Sequence, residues 1–413
     1  MKRQVVITGM GAVTPLGNDI SSTWRSIRKG ISGIGTITRF DPSPFPSRMA
    51  GEVRGFDPLL FMNAKAARKL DPFIQYALAS ALMAREDAGL AADPGPAQRT
   101  GVLVGSGRGG VTTNENNMTA FLSKGVRAVS PFFAPMTLVN MASGYISLRI
   151  GAKGPCLDVS TACATGTHAV GEAFRIIQRG DADVMYAGGS EAALTPLVLA
   201  GFCQARALSQ RNSDPGRASR PFDRDRDGFV LAEGACVLVL EEQDRAEARG
   251  ARIYAELAGY GLTSDAFHYT RPDPAGDGSA RAMSLALADA ETEPAEIDYI
   301  NAHGTSTIPN DLVETLAIKK VFGEHARNLA VSSTKSVLGH MLGASGAVEA
   351  AVTALALSEG IIPPTMNYEH PDPACDLDYV PNEPRQRSLN AVLSNSFGFG
   401  GFNATLVLKR FQR

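Results

Sequence analysis

The sequence has few cysteines, no long apolar segment and almost no net charge. Its 413 residues include five cysteines, an odd number without a CxxC pair, which argues against a disulfide framework or a zinc ribbon. No apolar run approaches the roughly 20 residues that a membrane-spanning helix needs. Forty basic and 42 acidic residues leave a net charge of −2, so we expect no membrane span and no bulk binding to nucleic acid.

Signals for targeting, nucleotides and metals are also missing. A strand is predicted from Gln4, so we expect no signal or transit peptide, and the unpaired cysteines favour a cytoplasmic location. The glycines in GMGAVTPLG (9–17) lack the GxGxxG spacing of a dinucleotide loop, and Pro15 interrupts them. DRDRDG (223–228) lacks the closing glutamate of a calcium loop, which favours a structured loop with internal ion pairs. No metal or cofactor is therefore predicted.

The most informative stretch is CLDVSTACATGTHAVGEAFRIIQRG, residues 156–180. A β-prone run (156–160) leads into a turn of small residues that holds Cys163, and an amphipathic helix follows. The start of a helix presents unpaired N–H groups and the positive end of the helix dipole, which lowers the pKa of a nearby thiol. We therefore expect Cys163 to be the reactive cysteine. The other four cysteines, which have no such setting, are predicted to be packing residues: Cys156, Cys203, Cys236 and Cys375.

The chain repeats its own pattern. VSTAC (159–163) matches VSSTK (331–335), and GACVLVL (234–240) matches NATLVLK (403–409), with about eight extra residues, SVLGHMLG, in the second copy. This repeat predicts two β/α halves, residues 1–250 and 251–413, in a layered α-β-α-β-α body. It also places Cys163 beside the turns of the second half. Residues 112–145 are polar and interrupted by proline, and we expect a long excursion that covers the core.

Those second-half turns carry the remaining chemical groups. His303 follows a predicted strand in NAHGTST, Lys335 and His340 lie in STKSVLGH, and Glu349 lies in the next helix. GFGG (398–401) offers backbone N–H groups and hinge glycines after another strand. A single histidine is usually structural, but two at strand ends opposite a cysteine indicate a nucleophilic site. Zinc is disfavoured because these residues lack i,i+3 or i,i+4 pairing.

Four motifs, in this order, carry a resemblance to a known family: VSTACATG, NAHGTST, SSTKSVLGHMLGASGAVE and SNSFGFGG. The whole chain resembles the β-ketoacyl-acyl-carrier-protein synthases of the thiolase-like superfamily, in particular the elongating enzymes of type II fatty-acid synthesis. The resemblance implies a five-layered α-β-α-β-α fold of two pseudo-repeated halves. It also implies a homodimer and a decarboxylating Claisen condensation that needs no cofactor.

The resemblance assigns a role to each motif residue. Cys163 accepts the acyl group, and its N–H and that of Phe399 hold the thioester oxyanion. Phe399 also acts as a gate between Gly398 and Gly400. His303 and His340 donate hydrogen bonds to the enolate, while Lys335, paired with Glu349, orients the histidine loop. Residues implied for the phosphopantetheine arm and the substrate are Thr270, Thr305, Thr307, Arg108 and Phe202.

The implied partner is acyl carrier protein, which is acidic and would dock on basic residues. The predicted docking patch comprises Lys65, Arg68, Lys69, Lys124, Arg127 and Arg206; a plain solvated surface is the alternative. Two other functions stay open: a polyketide-type ketosynthase subunit, and a non-catalytic partner like a chain-length factor. The retained Cys163, His303 and His340 argue against the second.

Arg108 departs from the family pattern, because related long-chain synthases usually carry an apolar residue there. A guanidinium is costly in an apolar tunnel unless it is paired. Arg108 could turn outward, pair with a carboxylate or shorten the acyl pocket. Arg108 does not change the predicted condensation reaction, but it leaves the preferred length of the acyl chain open.

Overall fold

The computed structural model describes residues 3–90 and 96–412. The strands are β1 Val5–Val13, β2 Ile34–Thr36, β3 Met49–Gly51, β4 Thr100–Gly105, β5 Cys156–Leu157, β6 Val184–Glu191, β7 Gly234–Glu242, β8 Ala255–Ser264, β9 Tyr299–Asn301, β10 Ala330–Ser332, β11 Ile361–Ile362, β12 Arg385–Gln386, β13 Ala391–Gly398 and β14 Phe402–Lys409. The α-helices are α1 Ile20–Arg28, α2 Ala64–Ala67, α3 Pro72–Asp87, α4 Val111–Lys124, α5 Phe133–Thr137, α6 Met141–Ile150, α7 Thr165–Gln178, α8 Pro196–Gln204, α9 Gln243–Ala248, α10 Asp277–Asp289, α11 Ile308–Phe322, α12 Lys335–Leu338 and α13 Ser345–Glu359.

Ten of these strands form one mixed sheet in the order β5-β4-β6-β7-β1-β8-β14-β13-β9-β10. In the first half β5, β4 and β6 run parallel and β7 and β1 follow antiparallel. In the second half β10, β9 and β13 run parallel and β14 and β8 follow antiparallel. The halves join where Val5–Ile7 of β1 pair with Ala255–Leu257 of β8. The identical order confirms the predicted pseudo-repeat; we propose that the halves divide near residue 250, before β8.

Helices α7 and α13 lie between the two halves of the sheet and contact strands of both. Helix α13 is buried from Ser345 to Leu357, since a sheet covers it on each side. Helices α3 and α6 cover the outer face of the first half, and α10, with α11 packed against it, covers the second. This arrangement is the predicted α-β-α-β-α layering.

Glycines in two equivalent strands let the outer helices approach closely. A Cβ on Gly11 of β1 would lie 2.2 Å from the carbonyl oxygen of Ser80 in α3. A Cβ on Gly261 of β8 would lie 2.1 Å from the carbonyl oxygen of Ala282 in α10. Gly9 and Gly11 are thus packing residues inside a strand that continues to Val13, which explains why they lack the spacing of a nucleotide loop.

The excursion predicted for residues 112–145 contains helices α4, α5 and α6, of which α6 packs against β4 and α3. Polar side chains of α4 bond to the backbone of their own helix. The Asn117 amide donates to the Thr113 carbonyl at 2.8 Å, and the Ser123 hydroxyl donates to the Thr119 carbonyl at 2.7 Å. Such bonds satisfy these side chains within a helix that composition alone does not indicate.

Candidate active site

Cys163 lies in a strained turn between β5 and α7. Ala162, just before it, has a φ of +50°, and residues 162–164 form one 3-10 turn before α7 begins at Thr165. The Thr165 hydroxyl accepts the Thr161 N–H at 2.8 Å and donates to the Ala162 carbonyl at 2.7 Å. The turn therefore fixes the cysteine at the start of the helix, as predicted.

The second half contains the same turn at a register that the sequence comparison missed. Leu342 has a φ of +47°, residues 342–344 form a 3-10 turn, and α13 begins at Ser345. The structural counterpart of Cys163 is thus Gly343, and the alignment of Cys163 with Lys335 is wrong. The extra residues therefore lie between Ser332 and Leu342, and this segment contains α12 and brings Lys335 and His340 to the site.

One cavity collects most of the predicted site residues. Its wall includes Cys163, His303, His340 and Phe399. The residues implied for substrate binding line the same cavity: Arg108, Phe202, Thr270, Thr305 and Thr307. The N-terminal half thus supplies the thiol, and the C-terminal half supplies both imidazoles.

The rings of His303 and His340 pack edge to face, with their centres 5.4 Å apart. The His340 Nδ1 shares a hydrogen bond with the Ser345 hydroxyl at 2.9 Å, while its Nε2 is buried and has no hydrogen-bond partner among the described residues. Burial and the Lys335 cation hold the pKa values of His303 and His340 well below the usual 6.5. Both rings are therefore neutral at pH 7, so each can donate one N–H.

Lys335 holds His303 from behind. Its ammonium pairs with Glu349 in a fully buried ion pair, donates to the His303 carbonyl at 2.6 Å and lies 3.4 Å from the His303 Nδ1. A cation beside Nδ1 makes that nitrogen the acceptor, which places the ring proton on Nε2. The pairing of Lys335 with Glu349 is the one that the resemblance implied, and its orienting role remains a prediction.

The pKa of Cys163 differs from the expectation for a helix start. Burial raises it to about 12, although the Lys335 cation and a hydrogen bond from the Phe399 N–H act in the opposite direction. The loss of hydration outweighs the favourable groups because the thiol lies in a largely apolar cluster with Phe202 and Leu342. The resting thiol is therefore protonated, and its proton must leave during attack.

The GFGG loop closes over the sulfur. A Cβ on Gly398 would lie 2.8 Å from the Thr161 carbonyl oxygen and 3.2 Å from the Cys163 N, so a larger residue would push this strand end away from Cys163. Gly400 has a φ of +90°, and its N–H donates to the Tyr269 carbonyl at 2.9 Å. Phe399 is 39% exposed at the cavity wall, and its N–H points at the sulfur.

Arg108 and Phe202 pack against each other in the wall of the cavity. The guanidinium carbon of Arg108 lies 5.2 Å from the centre of the Phe202 ring, which packs edge-on against Phe229. Phe229 in turn packs against His340 at 5.3 Å. Arg108 is exposed and joins no carboxylate within 4 Å in the part of the chain that the structure describes. Carboxylate pairing, one of the three arrangements predicted for Arg108, is therefore not seen among the described residues. The guanidinium makes a cation–π contact with Phe202 instead.

The basic residues of the predicted docking patch fall on three segments. Lys65 lies in α2 and Arg68 and Lys69 follow it, Lys124 ends α4, and Arg127 follows. The Lys69 ammonium lies 3.8 Å from the centre of the Phe132 ring, which links the α2 segment to the chain beyond Arg127. Arg206 lines the cavity itself. The patch remains a prediction.

Three buried carboxylates shape the site, and the motif search did not single them out. Glu314 accepts the N–H groups of His303 and Gly304, each at 2.8 Å. Asp311 accepts the Thr305 N–H at 3.1 Å, and Glu191 accepts the Gly343 N–H at 3.0 Å. The sequence signal that could have identified them is their position: Asp311 and Glu314 lie in the helix after the NAHGTST turn, and Glu191 lies at the end of a strand.

The DRDRDG loop has one internal ion pair, Arg224 with Asp225 at 3.7 Å, and its buried ion pairs run to other segments. Asp223 accepts the backbone N–H groups of Glu369 and His370 at 2.7 Å each. Arg226 donates to Asp372 at 2.7 Å and lies 3.6 Å from Asp311. The loop therefore supports the segment around Thr305 through Asp311. None of the helices within residues 3–90 and 96–412 combines the length and the hydropathy required to cross a membrane.

The amino-acid sequence is similar to known β-ketoacyl synthases along most of its length. The model of the β-ketoacyl synthase N-terminal domain matches residues 2–246, and that of the C-terminal domain matches residues 254–369. The chain is 53% identical over 409 residues to 3-oxoacyl-[acyl-carrier-protein] synthase 2 of Coxiella burnetii, with 99% of each chain covered. It is 51% identical over 411 residues to the enzyme of the same name from Synechocystis, with 100% of this chain and 99% of the relative covered.

Solved structures of ketosynthases have the same fold. The ishigamide ketosynthase/chain length factor superposes with a TM-score of 0.93 at 37% identity, and a β-ketoacyl synthase from Burkholderia phymatum with 0.92 at 37%. A type II polyketide acyl-carrier protein in complex with its ketosynthase gives 0.92 at 34%. Each comparison covers 100% of both chains. With both domain models matched and a cysteine and two histidines lining one cavity, the chain belongs to the β-ketoacyl synthase family and has its thiolase-like fold.

Proposed function

We propose that this protein is a 3-oxoacyl-[acyl-carrier-protein] synthase that elongates fatty acids. It takes an acyl group from one acyl-carrier-protein thioester and condenses it with malonyl-acyl-carrier protein, releasing CO₂. The observation that carries the proposal is the orphaned Nε2 of His340, which faces a cavity shared with Cys163 and His303. A buried polar nitrogen without a partner is costly unless a ligand completes it.

The first step loads the acyl chain onto the enzyme. The Cys163 sulfur attacks the thioester carbonyl, and the thiol proton ends on the departing phosphopantetheine thiol. Negative charge develops on the carbonyl oxygen, where the Cys163 and Phe399 N–H groups can receive it. The raised pKa of the thiol makes this proton transfer part of the step, so loading should accelerate with pH.

The second step joins two carbons. Malonyl thioester loses CO₂, and the enolate oxygen that forms needs donors within a water-poor cavity. His303 and His340, both neutral, supply one N–H each. The carbanion then attacks the acyl-Cys163 carbonyl, and the sulfur leaves and takes up a proton. Neutral imidazoles suit this role because a charged donor would be costly in so buried a place.

The decisive experiment supplies defined acyl- and malonyl-carrier proteins and follows the 3-ketoacyl product by mass spectrometry. Wild type should form the product, and Cys163→Ala should form none while its unfolding curve stays close to wild type. Cys203→Ala is the matched control, since Cys203 packs in the same apolar cluster without facing the histidines. A condensing Cys163→Ala variant would refute the nucleophile assignment.

Acyl carrier protein is the proposed partner, and the basic residues around α2 are its proposed docking surface. Charge reversal at Lys65 and Lys69 should raise the KM for carrier protein and reduce the dependence of that KM on salt. Arg25→Glu/Lys29→Glu is the matched control, an exposed basic pair with the same spacing at the end of α1. Equal effects of the two reversals would reject the docking surface.

A homodimer is the proposed assembly. The outer edge of β5 pairs with no strand in the part of the chain that the structure describes. Exposed apolar side chains lie on β5 and on two of the helices between β4 and β5: Leu157 is 41% exposed, Leu148 in α6 77% and Leu122 in α4 75%. A second copy would pair this edge and cover these side chains. Leu157→Glu should therefore convert a dimer in analytical ultracentrifugation to a monomer; a monomeric wild type would reject the assembly.

The five free thiols also support a cytoplasmic location, where a reduced Cys163 persists.

The polyketide alternative predicts a different product rather than a different site. With one malonyl unit per cycle and no ketoreductase present, a fatty-acid enzyme stops at one 3-ketoacyl product. Poly-β-keto chains in the same assay would favour a polyketide ketosynthase.

A further inference from the structure

Glu191 is a buried carboxylate that the condensation steps above do not use. It ends β6, is fully buried, and accepts four hydrogen bonds. The donors are the Ser106 hydroxyl at 3.0 Å, and the N–H groups of Gly107 at 2.9 Å, Arg108 at 3.1 Å and Gly343 at 3.0 Å. Three come from the turn after β4, and one comes from the other half of the molecule.

Its location has a meaning in the pseudo-repeat. β6 and β13 are equivalent eight-residue strands, so Glu191 corresponds to Gly398. In the first half the Cys163 N lies beside Gly398, and its N–H is the group proposed above to receive the substrate oxygen. In the second half the equivalent N–H, that of Gly343, donates to the Glu191 carboxylate. The protein thus fills the second copy of its oxyanion site with its own anion.

The surroundings of Glu191 are built to keep it there. A Cβ on Gly107 would lie 2.9 Å from the Glu191 Oε2, and one on Gly343 would lie 2.8 Å from it. Gly107 also lies against the backbone that precedes the nucleophile, because its added Cβ would be 3.5 Å from the Ala162 carbonyl oxygen. No cation lies within 4 Å of the carboxylate among residues 3–90 and 96–412, so backbone N–H groups take the place of an ion pair.

We propose that Glu191 is a positioning residue for condensation: it clamps the turn that carries Arg108 to Gly343, and it places a negative charge behind Cys163. The inference rests on the proposed function for its effect on turnover. Its effect on the thiol can be measured without any carrier protein, so the two can fail separately.

The charge provides a readout that packing alone would not move. The charged groups that act on the Cys163 thiol are the Lys335 cation, which lowers its pKa, and the Glu191 and Glu349 carboxylates, which raise it. Burial raises the pKa of Glu191 itself to about 7 against its hydrogen bonds and Arg108. As pH rises through 7, Glu191 ionises and holds the thiol proton more tightly. Alkylation of Cys163 by iodoacetamide should therefore rise less steeply with pH around neutrality than above or below it.

Alkylation rates of the whole protein between pH 5.5 and 9.5 test this, with Cys163→Ala as the blank. Wild type should show the inflection near pH 7, and Glu191→Gln should show a straight line with faster alkylation above pH 7. In the condensation assay the same variant should lose on the order of tenfold in kcat with the malonyl KM unchanged, because the clamp positions the site without touching substrate. Glu241→Gln is the control, a fully buried carboxylate at the far end of β7.

Ser106→Ala keeps the charge and removes one donor to it, so its inflection should move to higher pH. This small change tests the clamp even where Glu191→Gln does not fold. A wild type without an inflection, or an inflection that survives in Glu191→Gln or stays in place in Ser106→Ala, would overturn the inference. A wild-type kcat in Glu191→Gln would do the same. A wild type that alkylates as expected but never condenses would instead refute the proposed function.

Discussion

Replacing Lys335 by methionine tests whether the buried ion pair serves stability, chemistry or both. The two groups are each 2% exposed, so removing the cation leaves Glu349 buried and unpaired. Breaking a buried pair by deleting one partner typically costs about 3–5 kcal/mol. The His303 carbonyl also loses its 2.6 Å donor. We therefore expect Lys335→Met to lower the free energy of unfolding at pH 8 by about 3–5 kcal/mol.

The pH dependence of that loss has a definite sign. Without the cation, the folded-state pKa of Glu349 should lie even further above its unfolded value, since burial already raises it and Lys335 opposes the rise. Such a group stabilises the folded state below its unfolded pKa and loses that contribution as pH rises. The deficit of Lys335→Met relative to wild type should therefore shrink between pH 8 and pH 5.5 in urea titrations.

A double variant separates stability from chemistry. Lys335→Met/Glu349→Leu removes both charges, and well-packed apolar replacements of buried pairs are often close to neutral. It should recover most of the lost stability and none of the condensation, because His303 loses its orienting cation and the Cys163 thiol loses a group that lowers its pKa. A double variant that condenses at the wild-type rate, or one that remains as unstable as the single variant, would refute this reasoning.

Three further predictions use other parts of the molecule. Burial lowers the pKa of His168 to about 4. The unfolded chain binds a proton at this histidine below about pH 6.5 and the folded protein does not, so the free energy of unfolding should fall as pH drops from 6.5 to 4. His168→Gln should remove roughly 3 kcal/mol of that fall in urea titrations. Gly11→Ala should destabilise by about 1–3 kcal/mol through contact with α3, whereas Gly144→Ala, whose Cβ meets nothing within 4 Å in α6, should be neutral or stabilising; equal effects on the unfolding midpoint would contradict the packing argument. Arg108→Ile should raise kcat/KM for long acyl chains relative to short ones, and an unchanged ratio in product analysis would exclude Arg108 as the end of the acyl pocket.

The sequence predicts the convergence of the site better than its register. The pattern alone predicts that Cys163 and His303 lie close together, because the strand ends of a repeated β/α unit meet at one edge of the sheet. The equivalence of Cys163 with Gly343 was missed because VSTAC and VSSTK match as strand ends. Packing around α13 decides where the extra residues of the second half lie, and the sequence match does not show this packing. Only the positive φ of Leu342 reveals that the second turn begins seven residues after Lys335.

Electrostatics was the least predictable part. The position of Cys163 at a helix start suggested a lowered pKa, but the opposing effect of burial depends on side chains from distant segments, such as Phe202 and Leu342. The same holds for Glu191, which in the sequence is only the last residue of a strand. Its four donors come from positions more than 80 residues away.

The central helix layer has a consequence for how the protein folds and fails. A Cβ on Gly171 of α7 would lie 2.3 Å from the Tyr260 ring of the second half, and Gly166 would meet Ala347 of α13 at 2.6 Å. Neither half can cover its inner helix without the other, so the two should unfold in one cooperative transition despite the duplicated architecture. The proposed nucleophile and the proposed enolate donors come from opposite halves, so a partly folded or clipped chain would hold the thiol without both histidines. Catalytic activity should therefore appear only when both halves of the chain are folded.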